Sequence, residues 1–293
     1  MIKAGFGRML RCAMALLLLC APPLWAQSPV WRLDNGSSVL YLGATVHMLR
    51  PADLPLPAVF DQAYALSDVL LFEVDLGGLA DPRVQGLIAQ RMVYPSGSRL
   101  SDHLSNTTWL QLQRYAQSRG VSAQVLQPLR PSGVFLTLLG VEMVRLGATE
   151  EGVDMRLYRQ ALDDGKPILG LESIEQHLQY LFSMGEEDPD LFMAQLLDEL
   201  DADSTMLDTM IDAWREGDET VLYDELVLPL KLEYEPLYRS LVLARNRLWW
   251  PQIESLLRSP ETELVLVGAA HLVGPDGLLA RARELGFSVQ PMR

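Results

Sequence analysis

Apolar positions in this chain follow two spacings, and the alternation between them outlines the fold. Short continuous apolar runs mark strands, and apolar residues recurring every three or four positions mark helices. WRLDNGSSVLYL, Trp31 to Leu42, places Asn35-Gly36 between two apolar runs and predicts a hairpin. Ala58 to Ser67 has helical spacing. Asp68 to Asp75, DVLLFEVD, is a short run too apolar for a half-solvated strand, so it predicts a strand covered on both faces. From Ser101 to Leu146 the spacing is helical, broken at Pro128 and Pro131, and another helix is predicted over Asp154 to Leu162. GKPILGLES, Gly165 to Ser173, reads as a strand ending in Glu172. Tyr234 to Leu257 is helical, Glu263 to Gly268 is a strand, Gly277 to Gly286 is a helix closed by a glycine, and Phe287 to Met292 is a last strand. The order predicts an α/β (α+β) fold: a central mixed β-sheet flanked by helices, with a helical insertion over about 100–160 and 175–258.

Four predicted strands end in residues capable of chemistry: His47, Glu73 with Asp75, Glu172 and His271. Ligands in open α/β sheets bind outside the carboxyl ends of the strands. Side by side, these residues would bring two imidazoles and two or three carboxylates to one crevice, a donor set suited to a divalent transition metal. A metal-bound water would then serve as nucleophile, with a free glutamate taking its proton. The plainer alternative is a set of hydrogen-bonded structural residues, in which Arg245 satisfies one buried glutamate by a salt bridge. Small residues precede both histidines, Gly43-Ala44 before His47 and Gly268-Ala269-Ala270 before His271, so the backbone bends there or something approaches closely. His103 and His177 read as ordinary surface or packing residues.

Composition narrows the function classes. The chain has 293 residues, 49% of them hydrophobic, and a formal net charge of −14. That charge excludes non-specific binding to nucleic acid or to an anionic membrane surface. The first 26 residues stand apart: Lys3, Arg8 and Arg11, then the apolar run Cys12 to Ala21, then Pro22-Pro23 and Leu-Trp-Ala before Gln27. This is the layout of a secretory signal peptide cleaved after Ala26, and the run is too short to cross a bilayer. An uncleaved anchor or a lipid-modified Cys20 are the alternatives, the second disfavoured by Leu19 before it. No other run is long and apolar enough to span a membrane. The expected product is a single domain, 27–293, exported to the periplasm or secreted. Both cysteines, Cys12 and Cys20, lie in the leader, which leaves the remainder without thiolate ligands or disulfides. Between Glu186 and Glu225 fifteen acidic residues face a single basic one, Arg215, while Phe192, Leu196, Leu197, Leu200, Leu207, Met210, Ile211 and Trp214 keep helical spacing. Amphipathic helices with a solvated acidic face account for this, and a surface attractive to cationic partners is the alternative.

Taken together, several segments resemble the TraB/GumN family, whose relatives include the Tiki proteases. YLGATVHMLRPADLPLP followed by VLLFEVDL is similar to the family's Gly-x-x-His segment and its strand with glutamate. GVDMRLYRQALDDGKPILGLESIEQ is similar to its Gly-x-Asp, Gly-Lys-Pro and Leu-Glu-Ser/Thr block, ARNRLWWPQIESLL to its Arg-Asn helix, and VLVGAAHLVGPDGLL to its C-terminal Gly-x-x-His signature. One position departs: Ala44 stands where the first motif has glycine, which adds a methyl group and predicts a slightly narrower site. The resemblance implies a Tiki-like fold, related to that of erythromycin esterases, and a metal-dependent hydrolase, peptidase or esterase. Carried over residue by residue, it implies that His47, His271 and Glu73 bind a divalent ion (Mn, Co or Zn). With Glu73 on the ion, the other glutamate, Glu172, would be the general base, and Arg245 and Asn246 would hold a substrate carbonyl or oxyanion. The substrate would be a peptide or a small ester. The alternatives are a non-catalytic binding or accessory protein that keeps the fold, and a small-ester or lactone hydrolase.

Overall fold

The structure is a computed structural model and describes residues 28–149, 151–200 and 205–293. The expected leader, 1–26, lies outside the described residues. A six-stranded mixed sheet organises the chain in the order β4-β3-β5-β2-β1-β6. The strands are β1 (Val30–Asp34), β2 (Val39–Thr45), β3 (Val69–Phe72), β4 (Ile168–Gly170), β5 (Glu263–Gly268) and β6 (Ser288–Pro291). The predicted hairpin forms between β1 and β2, antiparallel, with Arg32 opposite Tyr41. Its turn uses Asn35, whose Oδ1 accepts from the amides of Ser37 at 2.9 Å and Ser38 at 2.8 Å, while Gly36 takes φ +88°. β2, β5, β3 and β4 are mutually parallel neighbours. β5 lies between two other strands and is buried from Glu263 to Val267, as its unbroken apolar run requires.

Ten helices of seven or more residues surround the sheet among the described residues: α1 (Val59–Leu66), α2 (Pro82–Arg91), α3 (Asn106–Ser118), α4 (Pro131–Arg145), α5 (Val153–Asp164), α6 (Ile174–Phe182), α7 (Pro189–Leu200), α8 (Thr205–Glu216), α9 (Arg245–Leu256) and α10 (Leu278–Glu284). The observed architecture is therefore the mixed α/β fold that the apolar pattern predicts. The main hydrophobic cluster joins the sheet to α1, α5, α8, α9 and α10, with Phe60, Leu157, Trp214, Trp249 and Ile253 all nearly fully buried. A second, smaller cluster holds Leu112 and Tyr115 of α3, Val134 and Leu138 of α4, and Met193, Leu196 and Leu197 of α7.

Two local devices fix the strands that carry the site. Lys166, from the Gly-Lys-Pro step, donates its Nζ to the carbonyls of Tyr64 at 2.7 Å and of Ser67, tying the entry of β4 to the end of α1. Trp214 of α8 donates Nε1 to the carbonyl of Ala44 at 2.8 Å, which anchors the end of β2. Ala44 itself is fully buried. A Cβ on its neighbour Gly43 would run into Leu266 and Phe60, so Gly43 faces α1, and strand alternation turns the Ala44 methyl to the opposite face. The extra methyl is buried in the core.

Candidate functional site

The carboxyl ends of the four parallel strands deliver the site. In sheet order, β4 leads to Glu172, β3 to Glu73, β5 to His271 on the short helical turn Ala269–Leu272, and β2 to His47. All the expected strand-end residues except Asp75 converge. Asp75 instead caps a short helix by accepting from the Gly77 amide at 3.1 Å.

Arg245, the first residue of α9, reaches into this edge from a wide π-type turn over Arg239–Ala244. Its Nη2 donates to Glu73 Oε2 and to Glu172 Oε1, both at 2.6 Å, and its Nε donates to Glu172 Oε2 at 3.1 Å. One guanidinium thus serves both buried glutamates, one more than the sequence suggested. Glu172 is fully enclosed and also receives Trp249 Nε1 at 3.2 Å, while its Oε1 lies 2.8 Å from His177 Nδ1. Burial alone would raise its pKa, but the hydrogen bonds from His177 and Arg245 outweigh that and hold it below the usual range. Burial likewise opposes ionisation of Glu73, and the charges of Arg245 and His47, with the hydrogen bond from the Gly268 amide, overcome it, keeping Glu73 strongly acidic. Trp249 completes the cage, with the Arg245 guanidinium 4.6 Å from its ring and the His271 ring 4.5 Å away.

The two motif histidines are held alike. His47 Nδ1 lies 2.9 Å from Asp154 Oδ2. His271 Nδ1 lies 2.8 Å from Asn246 Oδ1, and Asn246 Nδ2 donates at 3.0 Å to the carbonyls of His271 and of Asp276. Because the Asn246 nitrogen faces two carbonyls, its oxygen must accept, so His271 Nδ1 carries the proton and Nε2 keeps its lone pair. Burial pushes His271 down to about 4, which leaves it neutral at ordinary pH. The Asp154 charge raises His47, whose side chain is largely exposed, to about 9, so at ordinary pH its Nε2 carries a proton that a bound ion would displace. With both Nδ1 atoms engaged, both Nε2 atoms are left toward the Glu73 corner. His271 Nε2 is 3.8 Å from Glu73 Oε1, which also accepts the Gly268 amide at 2.8 Å. A Cβ placed on Gly268 would stand 3.3 Å from Glu73 Oε1 and 4.0 Å from His47 Nε2, so the absence of a side chain there keeps this corner open. Thr45, the register partner of Gly268, lies beside it with a buried hydroxyl that has no partner among the described residues.

Asn246 therefore does something other than face a substrate oxygen: its oxygen holds the His271 ring, and its amide nitrogen is engaged by the carbonyls of His271 and Asp276. Sequence reading also set His177 aside, and the structure corrects this by placing it in the site. Its signal was present, since the Ser173–Gln176 capping box starts α6 directly after Glu172 and turns His177 back toward the carboxylate. Asp154 belonged to a recognised motif but had no role. Gly152 explains that motif, because a Cβ there would meet the His47 carbonyl at 2.2 Å. The close approach lets Val153 donate to the Val46 carbonyl at 3.0 Å and sets Asp154 under His47. His103 stays away from the site, stacked on Tyr94 at 4.4 Å.

The TraB/PrgY/gumN family profile matches residues 29–291. The chain belongs to this family. Within the curated proteins it is similar to YbaP of Escherichia coli (strain K12), a protein described only as uncharacterized, at 24% identity over 247 residues, 83% of this chain and 87% of that protein. A YbaP of Shigella flexneri shows the same identity and coverage. No solved structure matches the chain. In this TraB/PrgY/gumN member, Glu73, Glu172 and His177 have ligand atoms within 4.8 Å of one another and could hold a metal ion. That group already surrounds a cation, the Arg245 guanidinium. The corner formed by Glu73 Oε1 and the two Nε2 atoms uses the carboxylate oxygen that Arg245 Nη2 does not bind, and Arg245 Nη1 borders it at 3.3 Å from His271 Nε2.

Proposed function

We propose that this TraB/PrgY/gumN protein is an exported metal-dependent hydrolase that cleaves amide bonds in peptides. One observation carries the reading: each motif histidine has its Nδ1 fixed by an oxygen acceptor, Asp154 or Asn246, which turns both Nε2 atoms toward the Glu73 corner, where among the described residues His271 Nε2 meets only Arg245 Nη1, at 3.3 Å. Histidines that bind metals are oriented in this way by the acceptor on their other nitrogen. Two imidazole nitrogens and a carboxylate oxygen, with no thiolate, suit Mn, Co or Zn. His47, His271 and Glu73 would hold the ion, which when bound supplies Lewis acidity and a more acidic water.

The chain's own groups do the rest. Arg245 keeps Glu73 ionised by binding Oε2, so Oε1 is left to face the imidazoles and would hold the ion. Glu172 anchors the guanidinium with the help of Trp249 and His177. Arg245 Nη1, which has no carboxylate partner and lies 3.3 Å from His271 Nε2, is the donor placed to meet an oxyanion forming at the corner. Asp154 and Asn246 set the ring orientations. Gly268 leaves room for a substrate carbonyl. Export rests on the 1–26 segment alone.

The test is purified protein stripped with a chelator and returned to Mn²⁺, Co²⁺ or Zn²⁺, assayed on a peptide library beside a panel of small esters. Metal-dependent peptide cleavage that disappears in His271→Ala is the expected result. Cleavage indifferent to metal, or turnover of esters alone, would overturn the reading.

A further inference from the structure

A second concavity, separate from the strand-end site, opens at the far end of two helical segments that also build that site. It lies where the chain leaving α6 meets the start of α7 and the segment Glu233–Ser240 that leads toward Arg245, and it encloses about 480 Å³. Its floor is apolar, formed by Met184, Leu191, Phe192 and Leu237. Met184 is buried, whereas Leu191 is 53% exposed, a large apolar surface left to water. Carboxylates form the rim: Glu186, Glu187, Asp188 and Glu233. Two of the four are occupied within the protein, Glu186 by Arg130 at 2.7 Å and Asp188 by the Leu191 amide at 3.0 Å. Glu187 and Glu233 have no ion pair among the described residues, and each of the two segments contributes one of them to the lining.

We infer that this concavity is a docking site for a basic amphipathic peptide segment, whose apolar side chains enter the floor while a lysine or arginine meets Glu187 and Glu233. Size and lining fit. A space of this volume accepts a few side chains, and methionine and phenylalanine adapt to different apolar shapes. Charge complementarity selects the partner. An anionic or purely apolar segment would have to remove water from two carboxylates without replacing their hydration, whereas a long basic side chain lays its methylene stem on the floor and its charge on the rim. This inference does not depend on the hydrolase reading, because none of the residues used here belongs to the strand-end site.

The experiment is calorimetric titration of the full chain with a synthetic helical peptide that has leucines on one face and lysines on the other, beside a counterpart with glutamates for lysines. Expected is binding of the basic peptide alone, weakened about tenfold or more by the double reversal Glu187→Lys/Glu233→Lys. The reversal Asp61→Lys/Asp163→Lys changes the net charge equally at exposed positions far from the concavity and is expected to leave affinity within about twofold of the parent, as is His271→Ala. Equal weakening by the two reversals would mean that the basic peptide responds only to overall charge, and it would overturn the inference. So would absence of binding, equal binding of the acidic peptide, or loss of binding in His271→Ala. Thermal melts check the fold of each variant. Should the lysine reversal unfold the protein, Glu187→Gln/Glu233→Gln makes the same comparison, with a weaker salt dependence expected and an unchanged one counting against the site.

Discussion

Two clusters in this protein bury a glutamate against arginine, and they are built to different ends. In the helical layer, Glu142 of α4 receives the Tyr115 hydroxyl at 2.5 Å and Arg119 Nε on Oε1, and Arg145 Nε at 2.6 Å on Oε2. Its arginines extend to solvent and have no second carboxylate to serve among the described residues. At the sheet edge one buried guanidinium is divided between two carboxylates, and an oxygen of Glu73 remains turned toward two imidazoles. The first cluster is complete in itself. The second keeps carboxylate and imidazole capacity in excess of what the chain supplies, which is the condition for binding something else. Buried charge alone does not mark a site; the imbalance of donors and acceptors does.

The largest effect should come from removing the shared cation. Arg245→Ala leaves Glu73 and Glu172 buried and uncompensated, with an expected loss of about 3–5 kcal/mol in denaturant unfolding. Arg245→Lys should recover part of that stability without recovering activity, since an ammonium cannot reproduce the fork between two carboxylates. Glu142→Ala should cost about 2–3 kcal/mol through its lost charged hydrogen bonds, while metal binding and peptide cleavage stay as in the parent. If Glu142→Ala impaired cleavage as much as Arg245→Ala does, the contrast between the clusters would collapse. Asp154→Asn keeps the shape beside His47 but removes the charge, and it should weaken metal affinity about 10–100-fold with little change in melting temperature, as read by metal titration. A loss confined to stability would make Asp154 a packing residue only.

Acid supplies the smallest and most local test. The pKa of Glu142 is lowered: burial raises it, and the hydrogen bonds from Tyr115, Arg145 and Arg119 together lower it further. A carboxylate with a lowered folded pKa contributes stability that is fully present above the unfolded value. That contribution is lost as pH falls through the folded value. Stability should therefore decline on acidification below the ordinary carboxylate range, and Glu142→Gln should flatten part of that decline in melts recorded across pH. An identical slope in the variant would show that the helical cluster does not titrate in this way.

The sheet was readable from the sequence because its determinants are local. Asn35-Gly36 fixes the hairpin, the unbroken run at Val265 demands a covered strand, and Gly286 closes α10 at φ +82°. The strand-end residues followed from those boundaries. What escaped were the residues whose role depends on distant partners. His177 sits on an amphipathic helix like many structural histidines, and only the fold shows that the capping box at Ser173 turns it onto Glu172. Asn246 reads as a polar donor until the GPDG loop supplies the Asp276 carbonyl that occupies it. Arg245 suggested a salt bridge to one glutamate; that it joins both depends on β3 and β4 pairing in register, Phe72 against Gly170.

The central claim is that the excess capacity at the sheet edge lies at the corner of His47, His271 and Glu73 and not among Glu73, Glu172 and His177. Anomalous diffraction from crystals soaked in Mn²⁺ or Zn²⁺ tests it directly. The account predicts a peak within coordination distance of both Nε2 atoms and Glu73 Oε1, with Arg245 still bridging the two glutamates. A peak among Glu73, Glu172 and His177 with Arg245 displaced, or no peak at the strand ends, would contradict it.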